Sequence, residues 1–251
     1  MDVFDTYRKM FASGDPRELV IWWYCGVVTA AREGVGEVPL TQAETIMAYR
    51  TRELGPERFA IDWTEVGSFR NITTGEPLEG WFNPFRDAIE PYPRTFVDGP
   101  ATFTISRSAG GVQIDLVQHN ARIDGVTLAV SHNPASVGLV QTETKTRTFH
   151  RPDGSLPALD SDDATAIQTV LSIWSPAAAV ADAAQRNVPS HGFYKSGSRG
   201  TGGGGSWAST TVRGTMQKAR ADERLNPVAW TRLQRMYPAF FKGDRVAPAF
   251  D

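Results

Sequence analysis

The side chains in this sequence that could move a proton near neutral pH are four histidines, a pair of carboxylates in one strand-like stretch, and a few tyrosines. His119, His132, His150 and His191 are widely spaced, and none has a second ligand-type residue at H-x-E or H-x-x-x-H spacing, so no metal is expected. His132 ends a strand-like run, and His191 lies in a glycine-flanked segment beside Tyr194 and Lys195. At a barrel mouth, or on a lid over it, either suits general acid/base work because imidazole titrates near neutrality; a surface or structural role is the alternative. Asp62 and Glu65 sit among aromatics in RFAIDWTEVGSFR, where the apolar alternation slips near Thr64–Glu65, so one of the two is expected to point inward. A carboxylate in an aromatic pocket has its pKa raised and can shuttle a proton. Pairing with Arg70 or Arg58 at the surface is the alternative. Tyr24 and Tyr49 are candidate phenol donors, with a structural hydrogen bond as the bland reading. Arg107 and Glu143 either face each other inside the fold or form an ordinary cross-strand pair.

Other chemistries find less support. The G-x-S-x-G nucleophile elbow is absent, and the single cysteine, Cys25, lies in an apolar strand where a thiol is inert packing. The glycine run at 202–205 has neither P-loop nor dinucleotide spacing. What remains is cofactor-independent proton transfer on a hydrophobic, ring-containing small molecule: an isomerase, cyclase or lyase/dehydratase step, of the kind met in natural-product or aromatic-compound metabolism. In this reading His132 or His191 is the base, Glu65 or Asp62 the shuttle and Tyr24 the donor. Trp22, Trp63, Arg70, Trp81, Asn83, Arg107, Trp174 and Tyr194 are the substrate-binding candidates. A non-catalytic, lipocalin-like carrier of a hydrophobic molecule is the rival. A third class, an interaction module, rests on residues 195–245, where ten Lys/Arg face three acids in a chain of net charge −2. No nucleic-acid motif accompanies that charge, so nucleic acid is not the expected partner; a homodimer is left open.

The elements that must position these residues are mostly strands. The chain has 251 residues, 41% hydrophobic and 22% charged, with seven Trp and thirteen Phe, enough to fill a core or line an apolar cavity. Residues 2–13 read as a short helix, and 18–31 as a strand apolar on both faces. Further strands are expected at 40–53 and at 58–84, the last a hairpin turning at Thr73–Glu76 and returning through Trp81 and Phe82. Runs at 101–108, 112–119, 121–131, 137–149 and 164–174 follow, with Gly-rich or Asp-Gly punctuation. In the penultimate run threonines alternate with Glu143, Lys145 and Arg147, the pattern of a half-exposed strand. Helices are expected at 177–186, 216–224 and 227–241, with a loop at 188–206. Short connections leave little room for parallel crossovers. The fold class is therefore mainly β: an antiparallel, lipocalin-like β-barrel or strongly curved sheet with short terminal helices, or else a two-sheet sandwich. Residues 1–251 form one domain, with 177–251 a helical, Gly-rich extension packed on it. The charged N-terminus lacks an apolar leader, and no run of about 18 apolar residues occurs, so a cytoplasmic protein is expected.

The run IWWYCG from Ile21 to Gly26, then Glu65-Val66-Gly67, Arg70, Thr74-Gly75-Glu76 and Trp81-Phe82-Asn83-Pro84, resembles a family of bacterial and fungal proteins catalogued as domain-of-unknown-function family eighteen thirty-eight. There a WWY-like strand leads to an EVGYYRDLETGE-like hairpin and a W-x-N-P ending. Here Ser68-Phe69 replaces the aromatic pair and Asn71-Ile72-Thr73 occupies the turn. The resemblance covers residues 18–84. It implies a cavity-lining role for Glu65, Arg70, Trp81 and Asn83, and no particular reaction.

Overall fold

The apolar run behind Pro16 extends as strand β1 (Leu19–Arg32) in a computed structural model, which describes residues 2–32, 36–78, 80–83, 88–91, 95–109, 111–148, 155–198, 209–220, 227–242 and 245–246. Both faces of β1 are apolar because both are covered. Val20, Trp22, Tyr24 and Val28 face the main core, whereas Ile21 and Trp23 belong to a second cluster on the opposite face. On one side β1 pairs with β2 (Gly36–Gly55), which pairs with β3 (Arg58–Arg70), then β6 (Thr95–Ser108) and β7 (Gly111–Val117). On the other side come β12 (Ser209–Arg220), β11 (His191–Ser198), β10 (Thr165–Pro176), β9 (Ser136–Arg147) and β8 (Ala121–His132). Every pairing in this ten-stranded sheet is antiparallel. The sheet is nearly closed into a lipocalin-like barrel, as expected. At the seam, β7 and β8 are joined by the Gln118–Ala121 bridge.

Helix α1 (Val3–Phe11) plugs one end. Asp2 caps it by accepting from the Asp5 amide at 2.9 Å, and Arg8 and Lys9 complement its C-terminal dipole. Its apolar stripe, Phe4, Tyr7, Met10 and Phe11, is buried, each side chain contributing roughly 2 kcal/mol. Phe4 meets Phe59 edge-on at 5.1 Å, and Phe11 lies 5.3 Å from Tyr49. Trp22 Nε1 donates to the Phe11 carbonyl at 2.8 Å, and buried Lys218 donates to the Lys9 carbonyl at 2.7 Å, satisfying helix-end oxygens. Burial drives the Lys218 pKa well down, with Glu18 acting against the shift. Trp22→Phe removes one of these anchors and some core volume. It is expected to cost about 2 kcal/mol in urea unfolding.

Helix α3 (Pro227–Met236) packs outside β1–β3, where Trp230 and Leu233 cover Ile21, Ile46 and Val66. Helix α2 (Ala177–Ala181) is shorter than the expected 177–186. The small pairs β4 (Gly80–Asn83) with β5 (Ala88–Pro91), and β13 (Phe241–Lys242) with β14 (Arg245–Val246), stand apart from the barrel sheet. Among the described residues no helix is long and apolar enough to cross a membrane.

Three expectations change. The run containing Trp81 and Phe82 pairs with β5 and not with β3, because both edges of β3 are taken by β2 and β6. The alternation in β3 does not slip: Trp63 and Glu65 pair with Tyr49 and Met47 in unbroken register. Val66 is apolar because it lies under α3. Finally, residues 191–198, within the expected loop at 188–206, and residues 209–220, which include the start of the helix expected at 216–224, are strands of the barrel wall, since β1 and β10 each need a partner there. Residues 177–251 are therefore partly barrel and not only an extension. The glycine run at 202–205 and residues 221–224 lie outside the described residues.

Candidate functional site

Inside the barrel is a cavity of about 120 Å³. Trp63, Phe103 and Tyr194 line it together with Glu65, Asp98 and Glu143, and Lys145 and Arg147 complete the charged part. Trp63 stacks on Phe103 at 5.9 Å, making a flat aromatic wall.

The charged wall comes from β9. Its inward positions alternate as Leu139, Gln141, Glu143, Lys145 and Arg147, opposite Ile173, Leu171, Thr169, Ile167 and Thr165 of β10. Charges that read as the solvent face of a half-exposed strand are thus the lumen face. Gln141 and Glu143 are 6% and 5% exposed. Gln141 Nε2 and Lys145 Nζ both donate to Glu143, at 3.1 and 3.2 Å. Burial opposes the Lys145 charge, but Glu143 and Tyr194 together more than restore it, and the ammonium is held above its ordinary pKa.

A bulge brings in the fifth charge. Trp63 pairs with Ala101 but Glu65 pairs with Asp98, so β6 carries one extra residue at Gly99–Pro100. This inverts the phase of β6 and turns Asp98 to the interior. Asp98 meets Arg147 Nη1 at 2.9 Å and accepts from Gln118 Nε2 at 3.0 Å. The negative charge of Asp98 also acts on Glu65. Burial, first, and then Asp98 push the Glu65 pKa up to about 7, while Thr45, Arg147 and Lys145 pull the other way. A carboxyl at that value exchanges a proton readily at physiological pH.

Tyr24 stands behind Tyr194, ring to ring at 5.2 Å edge-on, with its phenol held protonated mainly by burial. Its hydroxyl lies over Gly26, where a methyl group would collide with Tyr24 Oη and with the Arg213 carbonyl. Gly26→Ala is therefore expected to lower stability by about 1–3 kcal/mol and to perturb near-UV circular dichroism from the Tyr24–Tyr194 pair.

The other candidates scatter. Asp62 faces outward, bound to Arg52 at 3.1 Å and to the Thr102 hydroxyl at 2.6 Å. Arg70 is on the same outer side, 3.8 Å from Glu44. Arg107 clamps the N-terminus of α1 through Asp2 and lies over Phe4; it does not meet Glu143. Trp22 is core, anchoring α1. Trp174 and His191 neighbour one another on adjacent outward positions of β10 and β11, and His132 is exposed at the end of β8. Neither histidine lines the cavity. The side chains of Trp81 and Asn83, and all of His150, lie outside the described residues. Of the basic residues in the C-terminal third, Arg213 pairs with Glu37, Arg232 with Glu44, and Lys218 points inward, so those charges do not form one face. Asp98, Gln141, Lys145 and Arg147 were missed as site residues. For β9, the period-two spacing of Glu143, Lys145 and Arg147 was the available signal.

No family model matches the chain, and no curated protein matches it. Among the described residues no three His, Cys, Asp or Glu side chains are grouped to hold a metal ion.

Proposed function

We propose that the barrel is a cofactor-independent acid/base enzyme, of isomerase, cyclase or lyase type, acting on a small ring-containing molecule inside the cavity. The observation that carries this reading is Glu65: a largely buried carboxyl with a pKa of about 7, set between a stacked aromatic wall and two half-buried cations. In its ionised form Glu65 takes a proton from a carbon next to a ring carbonyl, and the C–H electron pair passes into the enolate. Lys145 and Arg147 favour the developing negative charge from across the cavity. Return of the same proton to another carbon completes an isomerisation; its transfer from Glu65 to a hydroxyl on the carbon beyond, which departs as water as the enolate electrons form the new C=C bond, completes a dehydration. Neither course needs an oxidant or a metal. The base is thus Glu65, with Trp63 and Tyr194 shaping the pocket and Tyr24 supporting Tyr194.

The test is mass spectrometry of a metabolite extract incubated with wild-type protein, boiled protein and Glu65→Gln. A compound converted to an isomer, or to a product lighter by one water, only by the wild type is the expected result. A compound that co-purifies unchanged with wild type and variant alike would establish the carrier instead.

A further inference from the structure

Three buried polar atoms on residues of the cavity wall have no hydrogen-bond partner of their own among the described residues: Trp63 Nε1, Gln141 Oε1 and Arg147 Nε, the last in a guanidinium that is already paired with Asp98 through Nη1. Trp63 and Gln141 are 8% and 6% exposed, so bulk water does not reach them freely. The orientation of the Gln141 amide is set by its neighbour. Its nitrogen donates to the Glu143 carboxylate, which can only accept, leaving the oxygen as an acceptor without a donor. Trp63 Nε1 is a donor only. The two neutral side chains, Trp63 and Gln141, therefore present one unmet donor and one unmet acceptor, and leaving each buried without a partner is costly.

The charges are matched otherwise. Asp98 meets Arg147 and Glu143 meets Lys145, which leaves Glu65 as the fifth ionisable group. With Glu65 neutral, the five side chains sum to zero, and a neutral guest leaves no buried charge unpaired. Size adds a limit: a cavity of about 120 Å³ is close to the roughly 150 Å³ that accommodates one benzene-sized ring.

We infer that the cavity selects a neutral single-ring molecule bearing one hydrogen-bond acceptor, read by Trp63 Nε1, and one donor, read by Gln141 Oε1. Lactams and enolised cyclic diketones are the simplest members of this class. The inference deepens the proposed acid/base reading, since such rings carry the carbonyl that Glu65 chemistry needs.

Calorimetric titration of the full chain with five probes tests it: 2-piperidone, with donor and acceptor; cyclohexanone, with the acceptor alone; cyclohexane; piperidinium; and benzoate. The wild type is expected to bind 2-piperidone about tenfold or more tighter than cyclohexanone. Trp63→Phe and Gln141→Met are each expected to remove most of that preference. Equal binding of all neutral rings, preference for piperidinium or benzoate, or no binding of any probe because the two atoms are served by water alone would overturn the assignment. The wild-type series decides even if a variant fails to fold. Selective binding without turnover of any metabolite would keep this inference and sink the enzyme reading. A Glu65-dependent substrate lacking the donor–acceptor pair would do the reverse.

Discussion

Glu65→Gln is expected to lower turnover in the barrel by roughly 10²–10⁴-fold while changing ligand affinity by only a small factor. Gln keeps the volume and hydrogen-bonding capacity of a neutral Glu but can neither take nor give a proton. In the wild type, activity that depends on the ionised base should rise with pH and level off above about 7, the value to which burial and Asp98 raise this carboxyl. The same shift gives a readout independent of any substrate. The folded-state pKa lies above the ordinary value of 4.5, so between those two values the folded chain holds a proton that the unfolded chain has lost. Stability therefore falls as pH rises through this window, by roughly 2–4 kcal/mol in all, and the penalty is fully present above about 7. Gln carries no such penalty. In urea unfolding, Glu65→Gln is expected to gain on the wild type between pH 5 and pH 8. A stability difference that does not change with pH would mean that Glu65 is not a buried titrating group, and the proposed base would go with it.

Glu44→Ala is expected to be the most damaging change outside the lumen, costing about 3 kcal/mol. Glu44 lies on the outer face of β2, 1% exposed, beneath α3. Its carboxylate pairs with Arg232 of α3, lies 3.8 Å from Arg70 of β3, and accepts from Trp23 Nε1 of β1 at 3.3 Å. One side chain thus ties three strands and a helix together. Removing it leaves two mostly buried guanidinium groups facing each other without the anion between them, and breaking a buried pair from one side is far more harmful than the net worth of the pair. The expected signs are a lower urea midpoint and faster amide exchange in α3 than in the barrel strands. Retention of wild-type stability would show that α3 docks through Trp230 and Leu233 alone.

Much of the wall was legible in the sequence because its strands are bounded by strong local signals. Gly110–Gly111 and Asp153–Gly154 punctuate the chain, and β6 to β10 lie within a residue or two of the expected runs except at the start of β6. The both-sides-apolar pattern of β1 correctly implied cover on two faces. Glu65 in an aromatic setting was legible for a similar reason. The choice between Asp62 and Glu65 was not, since it depends on which face of β3 meets the lumen, and both faces carry apolar residues.

By itself, then, the sequence determined an antiparallel β-rich chain with a helix at its start and an aromatic interior, because turn chemistry and period-two alternation are local properties. Tertiary structure alone decided three things. It made β11 and β12 strands, because a sheet curling toward closure offers β1 and β10 open edges whose backbone groups must be paired. It turned Glu143, Lys145 and Arg147 inward, because alternation specifies that two faces differ but not which one the curvature encloses. And it brought Asp98 to Glu65 through one extra residue in β6, a displacement that inverts every side chain beyond it and so built the charged wall of the cavity.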